Sequence, residues 1–361
     1  RAENVLVEVR LADGTLGFGG SLPRPFVTGE TAEDVLENYR LGLSSRIGEP
    51  VPHFEDLVSL CLDDPLVDGG FETSLAGRCA MELALLDAGC KYFARRVLDT
   101  LMVAFPDICR PRPLNHVHYV VGLSSFTPVR ELLSALEYRL AGFRSLKLKV
   151  GLDQADDLRK VKLIRRVLGW NVDLHADANG AWSLEEAVHV CRQLERYGLT
   201  MIEQPLAQGD EGSLPKLVRQ IEMPVMLDES LTDLHHARLY ARNGWCQVFN
   251  IRISKCGGLM PSCRLARLAH EEGLRWQLGC QVGELGVLSA AGRAMATAVA
   301  DPVYCEGSYD RWLLKDNILA DDISIGYRGR APRLDGAGLG IEVDRRAIDR
   351  LTTEEVDLVL P

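Results

Sequence analysis

The sequence predicts an α/β protein, a (β/α)8 barrel joined to a smaller α+β domain, and three observations carry that reading. From about His116, eight strand-like apolar runs each lead into a helix or helical turn, over roughly 190 residues. None of those helices opens on Gly-x-Gly-x-x-Gly, which sets aside a doubly wound open sheet. The chain has 361 residues, 47% hydrophobic and 25% charged, long enough for a large core and roughly two domains.

In chain order, Val5–Val9 alternates as a strand, Asp13-Gly14 signals a hairpin turn, and Thr15–Gly20 returns. The loop Ser21–Gly29, with two prolines, leads to Thr31, a helix N-cap for Ala32–Leu43. Phe71–Ala94 reads as a long helix with an apolar stripe through Leu75, Cys79, Leu83, Leu86 and Cys90. The barrel strands are expected at His118–Val121, Leu146–Val150, Val172–Ala176, Met201–Ile202, Val225–Leu227, Val248–Ile253, Arg275–Leu278 and Val303–Cys305. Helical patterns at Gln154–Leu168, Leu184–Tyr197, Leu231–Arg242, Ser262–Glu272 and Leu285–Val299 lie between them. After Tyr309 the pattern stops. A Gly-rich tail precedes a strand at Ile341–Val343 and is expected to pack back on the N-terminal domain. The expected boundaries are 1–114, 115–310 for the barrel, and 311–361 for the tail. The chain opens without Met and almost directly in a strand pattern, so a preceding N-terminal strand is expected.

Charge and cysteine usage narrow the partners. With 41 Lys and Arg against 51 Asp and Glu, the net charge is −10, which argues against nucleic acid or an anionic membrane surface as partner. A local cationic pocket can still take a small anionic substrate. Ten cysteines are scattered without a CxxC pair or a zinc spacing. Cys79, Cys191 and Cys263 read as small buried hydrophobes, and a reducing cytoplasm is the expected compartment. No apolar run approaches 18 residues and the first ten lack a signal-peptide core, so no membrane span is expected.

Chemistry in such barrels sits at the C-terminal ends of the strands. The charged residues there are Lys147 and Lys149 on the second strand, Asp177 on the third, Glu203 on the fourth, Asp228 with Glu229 on the fifth, and Lys255 past the sixth. Asp177, Glu203 and Asp228 are spaced 26 and 25 residues apart, one strand-plus-helix unit each. They should therefore converge. Three carboxylates together repel, and a hard divalent cation relieves that; oxygen ligands suit one Mg2+, with Mn2+ as a substitute. Lys147 and Lys149, two apart on a strand, share a face. A free Lys, with a pKa of about 10.4, is a poor base near neutrality, but a neighbouring cation and partial burial favour the neutral amine. Lys255 faces the pair across the mouth, four strands away. Two lysines on opposite faces of a carboxylate substrate, with a metal beside it, suit removal of an α-proton and its return on the other face. Gln281 and Glu284, in the loop after strand seven, are candidates for substrate contact, whereas Arg252 reads as structural. His175-Ala-Asp177-Ala-Asn179-Gly180, with Glu186, nearly matches a calcium loop but lacks Asp at its first position and follows a strand.

These residues resemble the enolase superfamily, in its mandelate racemase/muconate-lactonizing-enzyme group, a superfamily in which a Lys or His base works beside Mg2+. The matching segments are Ser145-Leu-Lys147-Leu-Lys149, Asp177-Ala-Asn179-Gly180, Glu203-Gln204-Pro205, Asp228-Glu229-Ser230 and Lys255-Cys-Gly257-Gly258, with the tail Gly338-Leu-Gly340-Ile-Glu-Val-Asp344. The resemblance implies a modified, enolase-like TIM-type barrel under an α+β capping domain, acting on a small carboxylate substrate, and a homo-oligomer. It implies Asp177, Glu203 and Asp228 as Mg2+ ligands, Lys149 and Lys255 as the acid/base pair, Lys147 as an electrostatic aid, and Asn179 and Glu229 as polar support. The loop Gly17–Gly29 would close over the substrate through Phe26 and Thr28, resembling that of dipeptide epimerases.

Two departures stand out. Gly20 replaces an acid that often follows Gly-x-Gly, and the Asp-x-Asp pair by which dipeptide epimerases hold an ammonium group near strand eight reads Cys305-Glu306-Gly307 here. Glu306 would take over part of that task. The expected activity is racemisation or epimerisation of an amino-acid derivative; muconate-type cycloisomerisation or carboxylate dehydration uses the same parts. A Schiff-base aldolase would need no carboxylate cluster. A non-catalytic barrel would be expected to have lost one of the three lysines or the three converging acids, and all six are present.

Overall fold

The computed structural model describes residues 2–63, 65–67, 74–123 and 127–358. Strands β1 (Val5–Arg10) and β2 (Leu16–Ser21) pair antiparallel with Val5 opposite Ser21 and Arg10 opposite Leu16. At the turn, Gly14 has φ 90°, a left-handed conformation that glycine adopts freely, and the Thr15 N–H donates to Asp13 at 2.9 Å. Helix α1 (Ala32–Leu41) starts at the expected Thr31, whose hydroxyl and the Asp34 carboxylate cap one another's backbone. Helices α2 (Phe54–Asp63), α3 (Leu75–Tyr92) and α4 (Val97–Ala104) follow.

The expected apolar stripe of α3 widens into burial almost all round, because Gly17 and Gly19 bring the β2 backbone onto Ala80, Ala84 and Ala88. A side chain at either glycine would collide with the helix. Phe71–Thr73, where that helix was expected to begin, lie outside the described residues.

The first barrel strand corrects an expectation. His116–His118 forms β3 and pairs antiparallel with Arg330–Pro332, so the first barrel strand is β4 (Val121–Leu123), starting at Val121 where the expected strand, His118–Val121, ends. Then follow α5 (Pro128–Leu140), β5 (Ser145–Lys149), α6 (Gln154–Leu168), β6 (Asp173–Asp177), α7 (Leu184–Glu195) and β7 (Ile202–Glu203). The second half comprises α8 (Leu214–Val218), β8 (Val225–Leu227), α9 (Leu234–Arg242), β9 (Val248–Arg252), α10 (Leu259–Glu271), β10 (Arg275–Gly279), α11 (Gly286–Ala298) and β11 (Pro302–Cys305). Strands β4 to β11 lie in sequence order, all parallel, and the Val120 N–H reaches the Cys305 carbonyl at 2.9 Å to join the two edges. Leu146, Leu148, Leu174, Ala176, Ile202, Val225, Phe249 and Ile251 are wholly buried in and around this sheet, as parallel strands covered on both faces require. The expected (β/α)8 barrel is thus observed.

Past the barrel come α12 (Asp310–Leu313), β12 (Arg330–Pro332) and α13 (Arg345–Leu351). The strand expected at Ile341–Val343 does not form. Val343 makes a single bridge to Leu319, flanked by Ala320 N–H to Glu342 O and Asp344 N–H to Ile318 O, a contact too short for a ladder. The tail lies against α3 and α4: Leu339 N–H donates to the buried Asp87 carboxylate at 2.8 Å, and Val97 N–H to Gly338 O at 2.7 Å. Asp87 also accepts from Phe18 N–H at 2.9 Å and pairs with Lys91 at 2.6 Å. No helix among the described residues is long and apolar enough to cross a membrane, and all ten cysteines are free.

Candidate active site

Strand register sets the depth of the charged residues. Lys149 lies opposite Asp177 on β6, and Asp177 opposite Glu203 on β7. Asp228 follows the last residue of β8, and Lys255 stands three residues past β9. Along the mouth this gives the row Lys149, Asp177, Glu203, Asp228, Lys255 on five consecutive strands, an amine at each end and three wholly buried carboxylates between.

Cations hold each acid. Asp177 meets Lys149 at 2.5 Å and Lys147 at 3.6 Å; Glu203 meets Lys147 at 3.1 Å and accepts from Asn250 Nδ2 at 2.6 Å. Asp228 pairs with Lys255 at 2.9 Å and with the Arg252 guanidinium, which also stands 3.8 Å from Glu203. The two neighbouring lysines have different surroundings. Lys149 keeps a side chain 39% exposed and faces the mouth, while Lys147 is buried and also bound by Glu306 at 2.6 Å. Burial alone would depress the Lys147 ammonium, but Glu203, Glu306 and Asp177 outweigh it and hold the pKa well above the ordinary lysine value. Lys147 is therefore a fixed positive charge, unlike the neutral amine expected from a pair of adjacent lysines. Lys255 lies at the other extreme: burial pushes it down to about 8, with Arg252 acting in the same direction. Its amine donates to Asp228 O at 2.6 Å and to Asn250 O at 2.9 Å.

Backbone geometry past the strands is special. Asn179 and Gln204 have positive φ, 45° and 36°, two residues and one residue beyond Asp177 and Glu203. A glutamine there costs on the order of 1–3 kcal/mol and persists only where its surroundings fix it. Here Gln204 Nε2 donates to Leu206 O and Ser230 Oγ, both at 2.8 Å, and Oε1 accepts from the N–H groups of Asp228 and Ser230. One side chain thus ties the end of β7 to the end of β8. Asn179 bridges Lys149 at 2.6 Å and Glu229 at 3.0 Å, placing both polar supports in the same row.

The remaining candidates divide. Segment 21–29 lies against the loops after β9 and β10, with Leu22 N–H donating to Ser254 Oγ at 2.9 Å and Arg24 to Val282 O. Phe26 on it is 71% exposed, with the Arg24 guanidinium 5.8 Å from its ring centre, whereas Thr28 is only partly exposed and its hydroxyl is buried. Gln281 is buried with both amide atoms unpartnered, and its N–H donates to Glu284 at 3.0 Å. Glu306 turns inward onto Lys147.

Three contributors escaped the sequence reading. Asn250 and Arg252 share one face of β9 and reach Glu203 and Asp228, so Arg252 is no mere structural cation; their i, i+2 spacing in Asn-Ile-Arg-Ile was the available signal. Gln204 carried no local signal beyond its place in Glu203-Gln204-Pro205.

Burial pushes the Glu284 carboxyl up to about 8. A proton held in the folded chain to about pH 8 but released near 4.5 on unfolding makes stability fall as pH rises between those values. Glu284→Gln is expected to remove that fall, gaining on the wild type by on the order of 1 kcal/mol or more between pH 5 and pH 8. Urea midpoints at both pH values check this, and parallel pH slopes for the two proteins would rule it out.

A divalent ion can be tested against these side chains. Among the described residues no three His, Cys, Asp or Glu already stand as a ligating cluster, because Lys147 and Arg252 are inserted between the acids. The donor chemistry nevertheless fits a hard cation. All three side chains are carboxylates, and the neighbouring buried Glu229 Oε2 accepts no hydrogen bond, while Asp228 Oδ2 is held by the Arg252 guanidinium.

Fold and site together define a barrel with lysines and carboxylates gathered at the C-terminal strand ends, where barrel enzymes carry their chemistry. The profile of the enolase C-terminal domain-like family matches residues 131–347. The chain belongs to the enolase superfamily, in its mandelate racemase/muconate-lactonizing-enzyme group, and is an isomerase of that superfamily. It is 30% identical over 359 residues to an o-succinylbenzoate synthase of Geobacillus stearothermophilus, covering 98% of this chain and 89% of that one. It is 29% identical over 298 residues to a hydrophobic dipeptide epimerase of Enterococcus faecalis, covering 82% and 80%. A solved structure of a dipeptide epimerase from Enterococcus faecalis V583 with Mg and L-Leu-L-Tyr superposes with a TM-score of 0.79 at 25% identity, covering 94% and 92%. The family and fold expected from the strand-end motifs are therefore borne out.

Proposed function

We propose that this protein is a racemase or epimerase of an amino-acid derivative, removing the proton α to a carboxylate from one face and returning one to the other. The observation that carries the reading is the row itself, with Lys149 and Lys255 flanking three buried carboxylates on consecutive strands. Lys149 stands at the open end and takes or gives the proton on one face; Lys255 serves the other. Lys147, a fixed positive charge, draws the substrate's negative charge toward the row. Asp177, Glu203 and Asp228 would hold Mg2+, which when bound stabilises negative charge developing on the substrate carboxylate. Asn179 and Glu229 fix the Lys149 end, and segment 21–29 screens the mouth from water.

The substrate class follows from two supports. The relatives include dipeptide epimerases, and the charged neighbour of strand eight, Glu306, is already engaged by Lys147. An amino-acid derivative with an acylated nitrogen, a dipeptide or an N-acyl amino acid, is the class we assign. A second reading, loss of water from a carboxylate or ring closure, is favoured by the similarity to o-succinylbenzoate synthase across 98% of the chain. A screen in D2O with Mg2+, over dipeptides, N-acyl amino acids and muconate-type acids, separates the two. Gain of one mass unit with loss of optical rotation is expected; a product formed by water loss or cyclisation would move the assignment to the second reading.

A further inference from the structure

Lys255 enters the site from a turn that the barrel does not hold alone. Between β9 and α10 the chain bends through Gly257 and Gly258, with φ of 85° and 122°. Helix α10 then begins without a side-chain cap of its own. The first N–H groups of a helix need acceptors, and Glu82 of α3 supplies them. Its wholly buried carboxylate accepts from the Leu259 N–H and, at 3.2 Å, from the Met260 N–H.

Arg78, one turn earlier on α3, pairs with Glu82 at 2.9 Å and donates to the Gly257 carbonyl at 2.7 Å and the Cys61 carbonyl at 2.8 Å. A Cβ on Gly258 would collide with the Glu82 carboxylate, and one on Gly257 would stand 3.1 Å from Leu75. One side of the turn is thus gripped from the N-terminal part of the chain. On the other side, the Lys255 amine is anchored to the Asp228 and Asn250 carbonyls.

A local cap would have been simpler. Serine or aspartate at the cap stabilises a helix start locally, whereas a buried carboxylate and guanidinium bring a desolvation penalty. Glycine at the cap and a charged pair reaching across from α3 make sense if what matters is the exact height and tilt of the turn. A displacement of about 1 Å at a reacting group can cost on the order of 100-fold in rate.

We propose that Glu82 and Arg78 are positioning residues for Lys255, so that proton transfer on the Lys255 face of the substrate depends on them and transfer on the Lys149 face does not. This rests on the two-base assignment proposed above. Net epimerisation cannot reveal it, because forward and reverse rates share one equilibrium and fall together. Solvent deuterium uptake with retention of configuration can, since each face exchanges through its own lysine.

The experiment measures that uptake, with Mg2+, for the two epimers of L-Leu-Tyr at the Tyr centre and for the two enantiomers of N-succinyl-arginine. Lys255→Ala first defines which isomer depends on Lys255. Glu82→Gln and Arg78→Met, which keep most side-chain volume, are then expected to slow uptake into that isomer at least ~10-fold and into the other less than ~3-fold. Asp87→Asn is the control: it perturbs another buried carboxylate of α3 that does not touch the turn. It should lower the thermal midpoint without altering the ratio between isomers. Equal slowing of both isomers by the Glu82 and Arg78 variants, or a ratio matching that of Asp87→Asn, would overturn the proposal. If the wild type exchanges no isomer, or Lys255→Ala leaves both unaffected, the two-base assignment itself falls and the positioning role falls with it.

Discussion

Lys255→Ala and Lys149→Ala are each expected to lower epimerisation by about 10³- to 10⁴-fold, at the upper part of what a positioned acid or base contributes. Their effects should differ in two respects. Lys149→Ala should leave deuterium uptake with retention in one isomer, and Lys255→Ala should leave it in the other. Stability should separate them as well. Lys149 is part exposed, and its pairing with Asp177 is backed by Lys147, so its loss should change stability little. Lys255 is fully buried against Asp228, and breaking a buried pair costs roughly 3–5 kcal/mol. Arg252 retains contact with that carboxylate and should temper the loss. Both variants retaining wild-type uptake into both isomers would remove the lysines from the reaction.

Asp228→Asn is the second large effect expected. Asp228 is one of three wholly buried carboxylates among the cations Lys147, Lys149, Arg252 and Lys255. Removing one negative charge leaves two carboxylates against four cations and weakens the hold on a divalent ion. Loss of a hydrogen bond behind a metal ligand typically costs about 10–100-fold in affinity, and loss of a charged ligand should exceed that. Calorimetric titration with Mg2+ is expected to show affinity reduced more than ~100-fold. An unchanged titration would take Asp228 out of the ligand set.

Much of this site could be read from the sequence because a barrel strand fixes depth as well as direction. Residues 26 and 25 apart on successive units reach the same level, and the structure places Asp177 opposite Glu203 as that spacing requires. What could not be read depends on where partners stand. The run around His118 alternates equally well for a barrel strand and for an antiparallel strand; pairing with Arg330–Pro332, more than 200 residues on, decides between them. Glu306 looked free to meet substrate, yet lies 2.6 Å from Lys147, 159 positions earlier. Likewise Lys147 and Lys149, alike on paper, diverge because one has three carboxylates around it and the other faces the mouth.

The Asp87 carboxylate carries a consequence for how the chain is made. Its two oxygens bind the backbone of Phe18 and of Leu339, near opposite ends of the polypeptide. At ~5–20 residues per second, a ribosome needs roughly 15–60 s to travel from one to the other. During that interval the hairpin and α3 can assemble, but one acceptor of the buried acid lacks its donor. The N-terminal layer must therefore wait, incompletely sealed, while eight strands are threaded and closed beside it. A translational pause before residue 339 would lengthen the time this carboxylate spends half-satisfied.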